Sequence, residues 1–210
     1  MGLMRRKEFS MSENKQEIAE FLREMSFGFL GTVGSDGACR VTPLNFVYGD
    51  GYFYFHGSLA GEKMKHLKAN PQVSFTVAKE YAIIPSYFTD PLLACPASAY
   101  FKSVMVRGHA EAVSDLREKA DAFTLFMKKL QPEGGYNPIN PEDPKYAGQL
   151  KAVALFRIVP EEISAKFKFG QNLNDHKFDD VLQGLQKRGG ELDKETVELM
   201  HKYCPHHAGS

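Results

Sequence analysis

The sequence predicts a mainly β fold with added helices, of the α+β class, built on an antiparallel sheet or barrel. The first observation is a hairpin signal in RVTPLNFVYGDGYFYFH, where Gly49-Asp50-Gly51 separates two stretches rich in Val, Thr, Phe and Tyr. The second is that short connections join the strand-like segments of the first half, which favours antiparallel neighbours. The third is that a helix does not follow nearly every strand, as a doubly wound parallel sheet would require.

The elements of the first half are predicted from periodicity and from capping and turn residues. Ser12 would cap a helix over Glu13–Met25, whose apolar residues fall at helical spacing. Asn70-Pro71 would end a later helix, because proline cannot continue it. The predicted strands are Phe27–Val33, Arg40–Tyr48, Tyr52–His56 and Gln72–Lys79, and the later helix is Glu62–Ala69.

The second half begins with Tyr81–Pro96, which is predicted to be irregular because it contains three prolines. Its many apolar side chains favour a loop packed against a groove or a partner subunit. Pro160 is expected to stop a strand, and Gly189-Gly190 to end a helix. The predicted elements are the strands Ala99–Val113, Ala152–Val159 and Ile163–Phe169, the loop Gln131–Pro144, and the helices from Asp115 to Leu130, His176 or Lys177 to Arg188, and Asp193 to Tyr203.

Composition fits one domain, with or without a small extension, because 210 residues with 43% hydrophobic content can bury a proper core. The 26 basic and 26 acidic residues balance, which argues against a broad nucleic-acid surface. Three widely spaced cysteines without C-x-x-C argue against a disulfide framework and a structural zinc site, and fit a reducing compartment. No apolar run approaches the ~20 residues of a membrane span, so we expect a cytoplasmic protein.

The junction after the hairpin combines a glycine loop, Gly57–Gly61, with a helix start that carries Lys63 and Lys65 in its first turn. Cations are unfavourable there because the free amides of a helix start already carry partial positive charge, and Glu62 offsets only part of this. An anion held by the loop amides and neutralised by Lys63 would resolve the conflict, which predicts a phosphate site. The alternative is that the lysines simply point into solvent. His56 could touch the anion or lie partly buried at the strand edge.

Several common chemical motifs are incomplete or absent from the sequence. The run Gly57-x-x-x-Gly61-Glu62-Lys63 is one residue short of a P-loop and has Met64 where that motif needs a hydroxyl. No G-x-G-x-x-G follows a strand, and neither G-x-S-x-G nor H-E-x-x-H occurs, so the catalytic residues stay unknown. The segment Cys204-Pro205-His206-His207 could hold a metal, but a solvated tail is the simpler interpretation, and we expect no metal site.

A resemblance to a known family rests on three segments: MRRKEFSMS, GTVGSDGACRVTPLNFVYGDGYFYFHGSLAGEKMKHLKANPQVSF and FKSVMVRGHAEAV. Together they resemble the pyridoxamine 5'-phosphate oxidase-like, FMN-binding split-barrel superfamily, and within it the 5-nitroimidazole-resistance (nitroimidazole reductase-like) branch. The resemblance implies a six-stranded antiparallel Greek-key split β-barrel with peripheral helices over residues 1–170, and a helical extension over residues 171–210 packed on the same domain. It also implies a homodimer with FMN at the subunit interface.

The resemblance further implies which residues contact the flavin. The first hairpin strand would lie along the isoalloxazine ring, and the phosphate would lie at the helix start beside Lys63, with Arg40 assisting. Ser103 stands where the oxidases have a flavin-contacting glutamine, and AKFKFGQNLNDHKFDDVLQGL is similar to the K-x-x-Q-N segment of FMN-binding, negative-regulator-like relatives. The implied cofactor-binding residues are Arg40, Val41, Thr42, Pro43, Leu44, Asn45, His56, Gly57, Ser58, Lys63, Ser103, Lys168 and Gln171.

Three functions are compatible with these features. The first is an FMN-dependent oxidoreductase acting on a small electron-poor substrate, since a bound flavin supplies redox chemistry and the protein tunes it. The second is a non-enzymatic flavin-binding or regulatory protein. The third is haem binding through a histidine such as His56. The substrate-binding Arg and His of the oxidases are not matched near the C-terminus, so pyridoxamine phosphate is not the expected substrate.

Overall fold

The computed structural model of the chain describes residues 7–58 and 60–204. Seven strands and six α-helices lie in these residues, together with short 3₁₀ helices at Lys7–Phe9 and Ser86–Phe88. The strands are β1 (Phe27–Val33), β2 (Cys39–Asn45), β3 (Val47–Gly49), β4 (Tyr52–Gly57), β5 (Gln72–Ile84), β6 (Ser98–Ala112) and β7 (Ala154–Lys168). The helices are α1 (Lys15–Glu24), α2 (Glu62–Ala69), α3 (Leu116–Leu130), α4 (Pro144–Ala152), α5 (Asp175–Arg188) and α6 (Asp193–Tyr203).

The seven strands form one sheet in the order β2-β1-β5-β6-β7-β4-β3. β1 pairs antiparallel with β2, beginning with Phe27 opposite Asn45, and it also pairs antiparallel with β5. β4 pairs antiparallel with β3 and with β7, where His56 lies opposite Leu155. The predicted antiparallel arrangement is therefore confirmed for these pairs.

The contacts divide the chain into two compact units, which are described separately. The hairpin unit comprises Lys15–Val77 and Met105–Ile163. The terminal unit comprises Ala78–Val104 with the described parts of Met1–Asn14 and Ser164–Ser210. Strands β5, β6 and β7 each contribute residues to both units. The predicted division of the chain at residue 170 stays a prediction.

An aromatic cluster fills the core of the hairpin unit. The ring of Phe75 lies 5.1 Å from that of Phe46 and 5.6 Å from that of Phe53, centroid to centroid, and all three side chains are fully buried. A second layer packs α3 against β3, β4 and the first part of β7, through Phe126, Leu155 and their neighbours. Aromatic residues dominate because each buries a large apolar area, and edge-to-face contacts add to that area.

Two lysines of α3 bind the carbonyl ends of other helices in the hairpin unit. Lys119 Nζ donates to the carbonyls of Leu150 (2.7 Å) and Val153 (2.8 Å), where α4 ends. Lys129 Nζ donates to the carbonyl of Met25, just after α1, and lies 4.9 Å from the centroid of the Phe46 ring. The carbonyls at a helix end lack partners within the helix, so these ammonium groups satisfy them. Burial lowers the pKa of Lys129 to about 8.

Aromatic residues also form the centre of the terminal unit, around Phe169. Its ring lies 5.4 Å from Tyr81 and 5.4 Å from Tyr203, centroid to centroid. Arg188, at the end of α5, donates to both carboxylate oxygens of Asp193 and to the carbonyl of Ile83 (2.7 Å). The guanidinium group thereby ties the end of α5 to the start of α6 and to the end of β5.

The predicted strand Arg40–Tyr48 is two strands, β2 and β3, in the structure. β2 pairs with β1 and β3 pairs with β4, and Phe46 lies between them with 1% of its surface exposed. Its amide donates to the carbonyl of Ser26 (3.1 Å), and its ring packs on Phe53 and Phe75. The chain thus changes its pairing from β1 to β4 at the residue whose large side chain is buried. The turn itself is as predicted, since Asp50 has φ 51° and Gly51 has φ 84°.

Strands β5 and β7 both run past the ends that the sequence predicted. β5 continues through the segment from Tyr81 that was predicted to be irregular and ends at Ile84, so Pro85 and not Lys79 marks its end. β7 runs through Pro160, which the sequence predicted would separate two strands. Along β7 the buried positions change from even numbers, such as Ile158, to odd numbers, such as Phe167. A local bulge produces such a change, and a bulge is where a strand tolerates proline.

β6 approaches β7 closely beside this irregularity. A Cβ atom on Gly108 would lie 2.1 Å from the carbonyl oxygen of Val159 and 3.1 Å from Cα of Pro160. Real side chains do not accept contacts this short to backbone atoms, so only glycine fits at this position.

The helix α4 fills the interval between the predicted loop Gln131–Pro144 and the predicted strand Ala152–Val159, where the sequence analysis predicted no element. Asp143 caps it by accepting from the amide of Lys145 (2.9 Å), and Pro144 is its first residue. Asp followed by Pro is a recognised helix start, because proline's missing N–H is not needed in the first turn. The remaining predicted helices agree with the structure to within two residues at either end.

Candidate functional site

The junction between β4 and α2, in the hairpin unit, has the features of an anion-binding loop. β4 ends at Gly57, and α2 begins at Glu62 after Gly61, whose φ of 123° is a conformation that favours glycine. Among the described residues, no side-chain hydrogen bond caps α2 at its N-cap residue, Gly61. Ser58 Oγ accepts from the amide of Ala60 (3.1 Å) and so shapes the loop. The first turn of α2 therefore keeps amide donors available.

Lys63 is a half-buried cation beside this loop. A Cβ atom on Gly57 would lie 3.3 Å from Lys63 Nζ, so the glycine leaves room for the ammonium group. The ammonium also lies 5.2 Å from the centroid of the Phe55 ring. Within residues 7–58 and 60–204, no carboxylate oxygen lies within 4.0 Å of it. Burial without a counter-ion lowers the pKa of Lys63.

His56 presents an imidazole next to Lys63. Its ring packs against Phe126 (5.1 Å between centroids) and Phe123 (5.7 Å). Partial burial, and then the positive charge of Lys63, lower the pKa of His56. The lowered pKa favours the neutral ring, which can offer one donor and one acceptor. Together with the glycines and Lys63, this donor set fits a phosphate group.

Arg40 is held by two carboxylates. Its Nη2 lies 2.8 Å from Oδ2 of Asp36, and its Nε donates to Oε1 of Glu62 (3.1 Å). The hydrogen bond from Arg40 lowers the pKa of Asp36. Glu62 also lies 3.7 Å from Nε2 of His66. The guanidinium group thus neutralises Glu62 in the first turn of α2, whereas the resemblance had implied that Arg40 assists at the phosphate.

The chain Asp36–Arg40–Glu62–His66 is the part of the site that the sequence analysis missed. It extends to Thr32, whose Oγ1 lies 3.1 Å from Nδ1 of the buried His66. Two of these contacts had a local signal, since Asp36 and Arg40, and likewise Glu62 and His66, are four residues apart. The link between β2 and α2 had none, because it joins residues far apart in the sequence.

β2, which carries the residues expected along a flavin ring, lies at an edge of the sheet. An edge strand leaves part of its backbone amides and carbonyls unpaired. Side chains alternate along it, so that Val41 is 67% exposed, whereas Leu44 is buried and only its backbone could meet a ligand. Pro43 has no backbone N–H to donate and lies opposite Phe29. Asn45 donates to the carbonyl of Ser26 (3.1 Å), and Thr42 is half-buried.

Ser103, Lys168 and Gln171 lie in the terminal unit, unlike the other implied residues. Ser103 is half-buried on β6. Lys168 Nζ contacts Oγ of Ser98. The side-chain amide of Gln171 binds the neighbouring backbone. Its Oε1 accepts from the backbone N–H of Phe169 (2.7 Å), and its Nε2 donates to the carbonyl of Phe167 (2.7 Å).

The described part of the chain contains no cluster of three or more side chains able to hold a metal ion. Of the candidate segment at the C-terminus, residues 205–207 lie outside the described residues. Cys204 is buried, with its Sγ 3.5 Å from the carbonyl oxygen of Phe169, and burial raises the pKa of this thiol to about 12. Residues 7–58 and 60–204 also contain no helix long and apolar enough to cross a membrane.

Comparison with known proteins identifies the family. A family model described as pyridoxamine 5'-phosphate oxidase matches residues 14–167, which is most of the chain. The chain belongs to the pyridoxamine 5'-phosphate oxidase family. A curated relative, the protease synthase and sporulation protein PAI 2 of Bacillus subtilis (strain 168), is 28% identical over 201 residues, which cover 89% of this chain and 91% of the relative.

Solved structures of similar fold confirm the predicted α+β split-barrel class, with seven strands in place of six. The flavocytochrome Anf3 from Azotobacter vinelandii is 25% identical, with a TM-score of 0.64 over 80% of this chain and 73% of that chain. A candidate 5-nitroimidazole antibiotic resistance protein from Bacteroides thetaiotaomicron is 22% identical, with a TM-score of 0.57 over 73% of this chain and 84% of that one. The pyridoxamine 5'-phosphate oxidase family thus includes this chain by both sequence and fold.

Proposed function

We propose that this protein is an FMN-binding flavoprotein and an oxidoreductase acting on a small electron-poor substrate. The observation that carries the proposal is Lys63, a half-buried ammonium group without a carboxylate partner in the described residues, beside the glycine loop and the uncapped start of α2. A phosphate monoester would supply the missing negative charge. Membership of the pyridoxamine 5'-phosphate oxidase family and the likeness to a flavocytochrome support a flavin as the bearer of that phosphate.

The residues of the hairpin unit would divide the work of holding FMN. Lys63, His56, Ser58 and the amides around Gly57 would bind the phosphate. The exposed edge of β2 would offer backbone groups to the polar rim of the ring system. Bound FMN would supply hydride or single-electron transfer, and the protein's hydrogen bonds would tune its potential. A substrate that takes a hydride directly needs no acid or base from the chain.

The same proposal includes a homodimer. Val41 and Pro43 of β2 lie opposite Gly31 and Phe29 of β1, so their side chains share one face of the sheet. On this face Val41 is 67% exposed and Phe29 is 44% exposed. We refer to Phe27, Phe29, Val41 and Pro43 as the exposed strip. Contiguous apolar side chains in water indicate an interface, and a second copy of the chain would cover the strip together with the flavin ring.

The first test is the visible spectrum of the purified protein before and after heat release of its ligand. Peaks near ~375 and ~450 nm with free FMN in the supernatant would support the cofactor. A Soret band instead would favour the haem alternative, in which neutral His56 is the candidate ligand. A protein that neither carries nor accepts FMN would contradict the proposal. Bleaching by NAD(P)H and reoxidation by a nitroaromatic acceptor would separate an enzyme from a flavin-binding regulator.

The phosphate assignment is tested by Lys63→Ala. Loss of a charge-assisted phosphate contact of about 1.5–3 kcal/mol should weaken FMN binding roughly 10- to 150-fold, as measured by fluorescence titration of the apoprotein. Lys65→Ala is the matched control, because Lys65 is an exposed lysine on the same turn. Equal FMN affinity in the Lys63 and Lys65 variants would reject Lys63 as the phosphate ligand.

A further inference from the structure

The terminal unit contains a cavity of about 380 Å³ that the proposed flavin site does not explain. It lies between the start of β6, the end of β7 and the first turns of α5. Its apolar walls include the buried side chains of Ile84, Tyr100 and Val181, each at most 3% exposed. A volume of this size is within the range of small-molecule sites, which are mostly apolar with a few polar groups at one side.

The polar side of the cavity is positively charged. Lys168 and Lys177 both line it, and neither Asp nor Glu is among its lining residues. The carboxylate of Asp90 partly balances the positive charge of Lys177, which is close enough to lower the pKa of Asp90. That carboxylate, however, also accepts from the amides of Leu92 and Leu93, at 2.9 Å each. The negative charge of Asp90 therefore interacts both with Lys177 and with these two backbone amides.

In the described part of the chain, no carboxylate balances the positive charge of Lys168. Its Nζ contacts the neutral hydroxyl of Ser98, and no carboxylate oxygen of the described residues lies within 4.0 Å. Burial, and then the charge of Lys166, lower the pKa of Lys168. A half-buried ammonium group that faces a cavity without a counter-ion is stabilised by any anion that enters.

We propose that this cavity binds a small organic anion, with its carboxylate or phosphate on Lys168 and its apolar body against Ile84 and Val181. Ser98 and the exposed amide of Asn172 line the same side and can donate hydrogen bonds to the anion. This assignment is an alternative to the implied contact between Lys168 and flavin. It stands independently of FMN binding in the hairpin unit.

Cys95 provides a reporter, because it lines the cavity and is exposed. The full-length holoprotein is alkylated with iodoacetamide, and the extent at each cysteine is followed by mass spectrometry. Phenyl phosphate and benzoate are the two anionic probes, and benzyl alcohol is the neutral control. We expect saturable protection of Cys95, at least threefold, by one or both anions and none by benzyl alcohol. The tighter anion identifies the preferred head group. Exposed Cys39, in the hairpin unit, is the internal reference and should react at an unchanged rate.

Lys168→Met should raise the half-saturating concentration of the anion at least tenfold, and the FMN content of the variant is measured alongside. Lys187→Met is the matched control, since Lys187 lies on α5 but does not line this cavity. If Lys168→Met fails to fold, Lys177→Met provides the second test and should weaken protection at least threefold. Protection that is equal with benzyl alcohol, or absent with both anions, would overturn the proposal. Loss of FMN from Lys168→Met would overturn it too, and would return Lys168 to the flavin.

Discussion

Two cations of the hairpin unit, Lys63 and Arg40, differ in whether a carboxylate already neutralises them. Lys63 has no carboxylate within 4.0 Å in the described residues, whereas Arg40 binds both Asp36 and Glu62. A free carboxylate at Glu62 would repel an anion bound at the start of α2. We therefore expect Arg40 to act on a bound phosphate through Glu62, by neutralising it.

A double-mutant cycle tests this role of Arg40. Arg40→Ala should weaken FMN binding about two- to fivefold, because a charge at a helix start is worth about 0.3–1 kcal/mol. Glu62→Gln should bind FMN at least as tightly as the wild type. The double variant should regain the affinity of Glu62→Gln, since the repelling charge is gone. If the double variant stays as weak as Arg40→Ala, Arg40 contacts the phosphate directly.

The sequence revealed only part of the site at the level of residues. Lys63 could be identified as a candidate because a cation in the first turn of a helix, after glycines, conflicts with local electrostatics. The hydrogen bonds that fix the side chains of Arg40 and Gln171 could not be identified from the sequence. Arg40 depends on Glu62, which is distant in sequence, and Gln171 satisfies the backbone of a turn at Gly170, which has φ 93°. Hydrogen bonds of both kinds depend on the fold, not on residue type.

At the scale of elements, Lys129 links α3 to the end of α1, and its protonation should make this link sensitive to pH. Burial lowers its pKa to about 8 from an ordinary value of 10.5. Between these values the unfolded chain holds the proton and the folded chain does not, so this contribution to stability rises as pH increases from about 8 to 10.5. Below pH 8 both states are protonated, and the contribution is lost.

The measurement is urea unfolding at several pH values between 7 and 10. The difference in unfolding free energy between the wild type and Lys129→Met should grow as pH rises. Lys128→Met, which removes an exposed lysine next along the helix, should show no comparable growth. A constant difference between the wild type and Lys129→Met would show that Lys129 keeps its proton across this range.

Substitution of Gly108 tests the close approach of β6 and β7, and substitution of Gly148 in α4 provides the contrast. Gly108→Ala should destabilise the protein by about 1–3 kcal/mol, because its Cβ would collide with the backbone at Val159. Gly148→Ala, in the exposed part of α4 with nothing within 4 Å, should stabilise it by about 0.5–1 kcal/mol. Differential scanning calorimetry should show shifts of opposite sign. A Gly108→Ala protein as stable as the wild type would contradict the contact.

The elements were predicted best where local signals act alone. The helices α2 and α6 were predicted with the bounds observed, from periodicity and end signals. The continuation of β7 through Pro160 was not, because it depends on the neighbouring strand and on Gly108. The helix α4 carried a readable signal in Asp143-Pro144, but the prolines and glycines before it favoured a loop.

For the whole molecule, the proposed homodimer can be tested through the exposed strip. Phe29→Lys and Val41→Lys place a charge on an apolar face and should convert the dimer into a monomer, with at least tenfold weaker FMN binding. Light scattering coupled to gel filtration measures the mass. Leu130→Lys is the control, because Leu130 is 58% exposed in the same unit but outside the strip. A wild-type monomer, or charged variants that remain dimeric, would exclude this strip as the interface.

The family resemblance anticipated the class of the protein, but not that the hairpin unit combines two segments far apart in the sequence. Within this unit β4 pairs with β7, where Gly57 lies opposite Ala154. During synthesis the candidate phosphate loop therefore leaves the ribosome long before its neighbouring strand exists. Until the last third of the chain emerges, the β4 edge beside that loop is open, and a nascent chain could pair there wrongly. We therefore expect slow translation or chaperone binding in this interval to affect formation of the proposed phosphate site, because its loop adjoins this strand edge.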